Sequence, residues 1–153
     1  MNICGFKELD LITEPFFLSF KINKAEEIGF EHKILDDLIV KEDYIKRIYF
    51  LTSTQKTIRG NHAHLNQFQI LILINGDAQL KLIDCKGATT EWNLDFGPVL
   101  IPKNYWIELN MAEFSKVLCL ASSTHSELKS QYNMNNFLQK ANSFTHFSDD
   151  PSV

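Results

Sequence analysis

Two histidines stand one residue apart in the run Arg59-Gly60-Asn61-His62-Ala63-His64. On a strand, alternate residues face the same way, so both imidazoles point to one side and Ala63 to the other. A pair of this kind can do one of two things. With two further nitrogen, sulfur or carboxylate donors it can hold zinc or iron. Without them it can move protons, because an ordinary histidine pKa of about 6.5 leaves both forms accessible near neutrality. Upstream, Arg47 and Tyr49 share one face of the apolar run Lys46 to Ser53. An arginine can clamp a diphosphate or meet a developing oxyanion, and a tyrosine hydroxyl can donate to the same oxyanion. Arg59 can do either job, and the Gln69 amide can bond an imidazole or a substrate hydroxyl. Each has a plainer reading beside it: a strand-edge salt bridge for Arg47, loop support for Arg59, local packing for Tyr49, a satisfied buried amide for Gln69.

The elements that must position these groups are short. Phe16 to Ile22, Lys46 to Ser53 and Gln69 to Ile74 read as strands. Asn75-Gly76-Asp77 is a strong turn signal, predicting a hairpin with Ala78 to Asp84 as the returning strand. Cys85-Lys86-Gly87 turns the chain again. Thr89 to Leu94, Val99 to Ile101, Trp106 to Asn110 and Lys116 to Ala121 follow as strands. Many short strands at this spacing predict an all-β sandwich or barrel. Ser126 to Ala141 is predicted as one C-terminal helix with Leu128, Tyr132 and Phe137 facing inward. A helical turn is expected near Asp36 to Asp43, and a frayed polar tail over 142–153.

The totals narrow the function. The 153 residues fit one domain with a real core. The net charge of -4 gives no reason to expect nucleic acid as a partner. Cys4, Cys85 and Cys119 match neither a metal pair nor a disulfide framework, so free thiols in a reducing cytoplasm are expected. No secretory leader is evident. No apolar run approaches the roughly 20 residues of a membrane helix, so no membrane partner is expected.

His62-Ala63-His64, Gln69 and Gly76 stand at the spacing of the His-x-His, Glu and Gly of the first cupin motif. The second motif is echoed from Gly97 to Asn110, with Pro102 in place and Ile107 at the histidine position. Two of the four metal ligands are therefore replaced, one by a weak neutral ligand and one by a side chain that cannot ligate. The barrel is read as metal-free and without a cofactor. Glu108 could stand in as a ligand, but alternation turns it away from the side that Ile107 faces.

Over some forty residues the chain resembles the dTDP-sugar 3,4-ketoisomerases of the FdtA/QdtA (WxcM-like) cupin family. The resemblance rests on Ile45-Lys46-Arg47-Ile48-Tyr49, on Arg59-Gly60-Asn61-His62-Ala63-His64, and on Asn75-Gly76 closing an apolar strand. It implies a single cupin domain over 1–153, a double-stranded β-helix (jelly roll) with a short C-terminal helix. It also implies a homodimer that exchanges an N-terminal strand, within residues 1–25. The activity implied is a shift of the keto group from C4 to C3 of a dTDP-4-keto-6-deoxyhexose through an enediol(ate). Such a step would serve synthesis of an unusual deoxy or amino sugar for surface polysaccharide. His62, His64 and Tyr49 would be catalytic, and Arg59, Arg47 and Gln69 would bind sugar or nucleotide. The chain departs from the family at Ile107, where a histidine is usual, and at Ser123-Thr124-His125-Ser126. Those departures keep an alternative open: a cupin that binds a nucleotide sugar or glycan without turning it over, beside another sugar-modifying enzyme.

Overall fold

The computed structural model describes residues 13–18, 21–25, 30–34 and 45–145. The strands run in chain order as β1 (Phe16–Phe17), β2 (Lys21–Ala25), β3 (Phe30–Ile34), β4 (Arg47–Thr52), β5 (Thr57–His64) and β6 (Gln69–Asn75). They continue as β7 (Ala78–Ile83), β8 (Thr89–Asn93), β9 (Val99–Ile101), β10 (Trp106–Met111), β11 (Lys116–Ala121) and β12 (Ser130–Gln131). One helix, α1 (Met134–Thr145), closes the described chain. Two antiparallel five-stranded sheets face each other, ordered β1-β9-β6-β11-β4 and β12-β5-β10-β7-β8, and β2 with β3 forms a separate hairpin. This is the expected jelly roll with a short C-terminal helix.

Alternation makes the barrel. Along β4, Arg47, Tyr49 and Leu51 turn inward while Ile48 and Phe50 stay exposed. Between the sheets, Leu71, Leu80, Leu82, Val99, Ile101, Leu109, Met111 and Val117 form one buried cluster. On the other side of β5, Ala63 packs with Ile83, Trp106 and Phe137 beneath α1. Phe137 is 2% exposed and its ring lies 5.9 Å from that of Trp106. Burying one such side chain is worth roughly 1.5–3 kcal/mol, enough to hold the helix over the back of the histidine strand.

Three expectations change. Asn75-Gly76-Asp77 does not close a hairpin: β6 pairs with β9 and β11, β7 with β10 and β8, so the turn hands the chain from one sheet to the other. A turn signal reports that the chain reverses; it does not report which strand comes next in the sheet. Gly76 has φ +85° and lies against Ser115, whose hydroxyl donates to the Asp77 carbonyl at 2.9 Å. The second change is the predicted helix over Ser126 to Ala141, which is in fact α1 over Met134–Thr145, starting later and preceded by the short strand β12. Asn133 caps the helix by accepting from the Asn136 backbone at 3.0 Å. Upstream, Ser130 and Gln131 are drawn out by pairing with His64 and Ala63. Of the three residues expected to face inward, Phe137 is buried, Leu128 is half-buried and Tyr132 is 73% exposed.

Third, the expected strand Phe16 to Ile22 divides between β1, which pairs with β9 of the same chain, and the beginning of β2. The helical turn expected near Asp36 to Asp43 lies outside the described residues; of the tail expected to fray over 142–153, residues 142–145 close α1 and the rest lies outside them.

Candidate active site

A bulge in β5 puts Arg59 on the same face as the two histidines. Arg59 pairs with Leu109 and Gly60 with Glu108, but His62 pairs with Ile107, so Asn61 is an extra residue without an opposite number. Counted by alternation alone, Arg59 and His62 fall on opposite faces; the extra residue brings both into the barrel. The bulge needs its two residues. Gly60 has φ +96° and Asn61 φ +55°. A Cβ at Gly60 would sit 2.5 Å from the Ile107 carbonyl oxygen.

Inside, the imidazoles meet. His62 Nε2 lies 3.2 Å from His64 Nε2. His62 Nδ1 donates to the Gly60 carbonyl at 2.9 Å, and His64 Nδ1 lies 3.2 Å from the Ser130 hydroxyl. His64 is buried, 6% exposed. Burial first, then the neighbouring His62 and Arg47, push its pKa down to about 3, so it is neutral at ordinary pH. Arg47 stacks over the Tyr49 ring at 4.9 Å and donates to Gln67 Oε1 at 3.4 Å. The buried Ser123 hydroxyl donates to the same Gln67 oxygen, so this departure from the family pattern serves to orient a side chain beneath Arg47. The Arg47 Nε is buried with no hydrogen bond among the described residues.

Tyr49 donates its hydroxyl to Gln69 Oε1 at 3.3 Å. Burial, with the Cys119 thiol beside it, raises the phenol well above its ordinary range, so Tyr49 keeps its proton and acts as a donor. Gln69, at the position of the cupin glutamate, therefore binds Tyr49 and not a histidine.

These groups line one cavity of about 610 Å³ with Leu51, Leu71, Ile107 and Leu109. All six residues singled out from sequence, His62, His64, Tyr49, Arg59, Arg47 and Gln69, face it. Among the described residues no aspartate or glutamate does. Two guanidinium groups without a carboxylate favour an anionic ligand. Glu108 turns outward to Lys81 at 3.2 Å, as alternation predicts. Among the described residues, no three His, Cys, Asp or Glu side chains gather as a metal site.

Sequence reasoning missed the C-terminal contribution. His125 is exposed but borders the cavity with Leu128 and Tyr132. The Tyr132 ring lies 5.5 Å from that of His62. None of these carries a spacing signal, because the segment is irregular. Gly60-Asn61 did carry one: two residues tolerant of positive φ inside a strand pattern mark a bulge.

Fold and cavity together define a cupin-type barrel with a pair of histidines in contact at its cavity. The chain belongs to the family FdtA: WxcM-like, C-terminal, whose model matches residues 32–142. Among solved structures it is similar to a 3,4-ketoisomerase from Helicobacter canadensis, at 26% identity, TM-score 0.67, covering 84% of this chain and 98% of that one. It is similar to the WlaRB TDP-quinovose 3,4-ketoisomerase from Campylobacter jejuni, at 27% identity, TM-score 0.69, with 84% and 99% covered. QdtA, a sugar 3,4-ketoisomerase from Thermoanaerobacterium thermosaccharolyticum in complex with TDP, shares the fold at 22% identity, TM-score 0.70, with 87% and 98% covered. Comparison with curated proteins gives no match. Among the described residues no helix is long and apolar enough to cross a membrane.

Proposed function

We propose that the protein is a 3,4-ketoisomerase acting on a dTDP-4-keto-6-deoxyhexose, with dTDP-4-keto-6-deoxyglucose as the substrate. One observation carries the reading: two histidines in contact, with His64 held neutral, and a protonated tyrosine share a cavity that holds two arginines and, among the described residues, no carboxylate. The two neighbours at 26% and 27% identity support it, since both are 3,4-ketoisomerases.

The chemistry needs no net oxidant. The C3–H bond breaks, its proton goes to His62, and its electron pair forms the C3=C4 double bond as the C4 carbonyl becomes an enediolate oxygen. The C3 hydroxyl proton then passes to the C4 oxygen, the C3 carbonyl forms, and C4 takes back a proton from His62. Arg47 and the Tyr49 hydroxyl supply charge and a donor for the enediolate. Arg59, exposed at the mouth, suits the diphosphate. Gln69 orients Tyr49 and reaches a sugar hydroxyl. With Gln69 and Ile107 at cupin ligand positions we assign no metal, and elemental analysis of purified protein should find no stoichiometric zinc or iron.

Assembly and setting complete the reading. We assign a homodimer; with Phe16–Phe17 paired to β9 of their own chain, a strand exchanged within residues 1–25 would lie outside β1. The exposed apolar Ile48 and Phe50 on β4, an edge strand of its sheet, support a covering partner. Free Cys85 and Cys119 fit a reducing cytoplasm, and the product fits synthesis of a surface-polysaccharide deoxy sugar. The Ile107 departure takes one imidazole from the cavity lining but leaves the His62–His64 pair and Tyr49 in place, so the binding-only alternative gains no support. Incubation with dTDP-4-keto-6-deoxyglucose should yield a C3 ketone still linked to dTDP. Recovery of unchanged sugar from a protein that binds TDP would overturn the enzymatic reading.

A further inference from the structure

The cavity has a polar level and an apolar one, and strand pairing sets both. Ala121 lies opposite Arg47 on one side and Gln69 on the other; two residues along, Cys119 lies opposite Tyr49 and Leu71, and Val117 opposite Leu51. Inward residues therefore change from polar to apolar along β4 and along β6. On the facing sheet, Ile107 is paired with His62 and Leu109 with Arg59. Leu71, Ile107 and Leu109 are 2%, 5% and 2% exposed, and they belong to one buried apolar cluster against which Leu51 packs. Arg59, Ile58, His125 and Tyr132, which also line the cavity, are exposed. The cavity thus has a wet mouth and a dry floor, and the packing of the core supplies that floor. The Tyr49 hydroxyl beside it already donates to Gln69 at 3.3 Å, and Cys119 of the same cluster does not line the cavity.

The floor limits what a sugar can carry. In a pyranose ring C1 and C4 stand opposite each other. A charged diphosphate on C1 cannot leave water for apolar side chains, so C1 turns to the mouth and C4 to the interior. C3 and C5 flank C4 on its two sides. With C3 at His62, the C6 group on C5 is carried inward on the side away from the histidines. We propose that Leu51, Leu71, Ile107 and Leu109 form the subsite that reads C6, accepting a methyl group and rejecting a hydroxymethyl. A methyl there replaces water with close contacts, whereas a hydroxyl loses its water and meets no side chain able to bond it. The departure from the family pattern at Ile107 belongs to this subsite, since a histidine there would set a polar ring on the floor. The orientation of the sugar rests on the ketoisomerase reading.

The test is calorimetric binding of dTDP-6-deoxyglucose and dTDP-glucose, with turnover of dTDP-4-keto-6-deoxyglucose measured in parallel. The first two differ only by the oxygen on C6, and neither has a C4 ketone, so neither is turned over. An apolar pocket rejects an added hydroxyl by up to roughly 10²-fold, so wild type should bind the 6-deoxy sugar about 10- to 100-fold more tightly. Ile107→Thr and Ile107→Val give side chains of the same shape, one with a hydroxyl and one without. Ile107→Thr should narrow the ratio severalfold, and Ile107→Val should keep it. Equal affinities in wild type would overturn the proposal, as would an unchanged ratio in a folded Ile107→Thr; if Ile107→Thr does not fold, the wild-type ratio decides. A wild type that prefers the 6-deoxy sugar but leaves the keto sugar unchanged would instead sink the ketoisomerase reading and leave the subsite standing.

Discussion

Strands β5 and β10 lie side by side, paired Ile107 to His62 and Trp106 to Ala63, and they use the same alternation for opposite ends. Inward from β5 come Arg59, His62 and His64; inward from β10 come Ile107, Leu109 and Met111. Outward, Ala63 and Trp106 both lie under α1. The first cupin motif thus carries polar groups into the cavity while the second has become packing. Backbone geometry dictates which way a side chain points, and residue identity alone decides whether that position is site or core. The β5 side is the one that needs a bulge, since a regular strand would send His62 outward.

The largest expected difference is catalytic. His62→Asn keeps polarity and much of the volume but cannot take a proton near neutral pH. It should lower kcat by about 10²–10⁴-fold, some 3–5 kcal/mol of barrier, with melting temperature and TDP affinity nearly unchanged. The matching change on β10, Met111→Ala, should do the reverse. Met111 is fully buried and does not line the cavity, so its truncation should cost about 2–5 kcal/mol in denaturant unfolding while activity per folded molecule persists.

Between these strands, Gly60→Ala tests the bulge itself. The new methyl meets the Ile107 carbonyl at a positive φ, which should cost about 1–3 kcal/mol of stability. It should also lower kcat by shifting His62, whereas a merely structural glycine would leave kcat alone. The smallest effect is the pH dependence of His64. In the fold its pKa is depressed from 6.5 to about 3, so between those values the unfolded chain binds more protons than the folded one. Stability therefore falls as pH drops through that window, by at most about 1.4 kcal/mol per pH unit from this group. Unfolding free energies at pH 7 and pH 5 should draw together for wild type and His64→Gln as the pH falls; parallel values would contradict the assignment.

Much of this site was legible in the sequence because it lies on regular strands. Arg47 with Tyr49, His62 with His64, and the outward turn of Glu108 all follow from alternation, and all come out as read. What alternation could not give was the bulge, visible only as a Gly-Asn pair within a strand, and with it the shared face of Arg59 and His62. The pairing after Asn75-Gly76-Asp77 was also beyond reach, because strand order in a jelly roll is set by long-range contacts that a local turn does not encode. The C-terminal segment failed for a related reason. Its apolar residues suit a helix, but pairing of Ser130 with His64 extends the backbone first, and tertiary pairing overrode local propensity. His125, Leu128 and Tyr132 reach the cavity, and Ser130 reaches His64, through that pairing and through loops without periodicity.

The central claim is that His62 is the base of a keto shift. The direct measurement is ¹³C NMR of dTDP-4-keto-6-deoxyglucose incubated in deuterated water with wild type and with His62→Asn at equal TDP occupancy. The account predicts a carbonyl signal moving from C4 to C3 in wild type, with deuterium entering at C4 as the base exchanges with solvent, and no movement in the variant. Turnover by His62→Asn at the wild-type rate would contradict it.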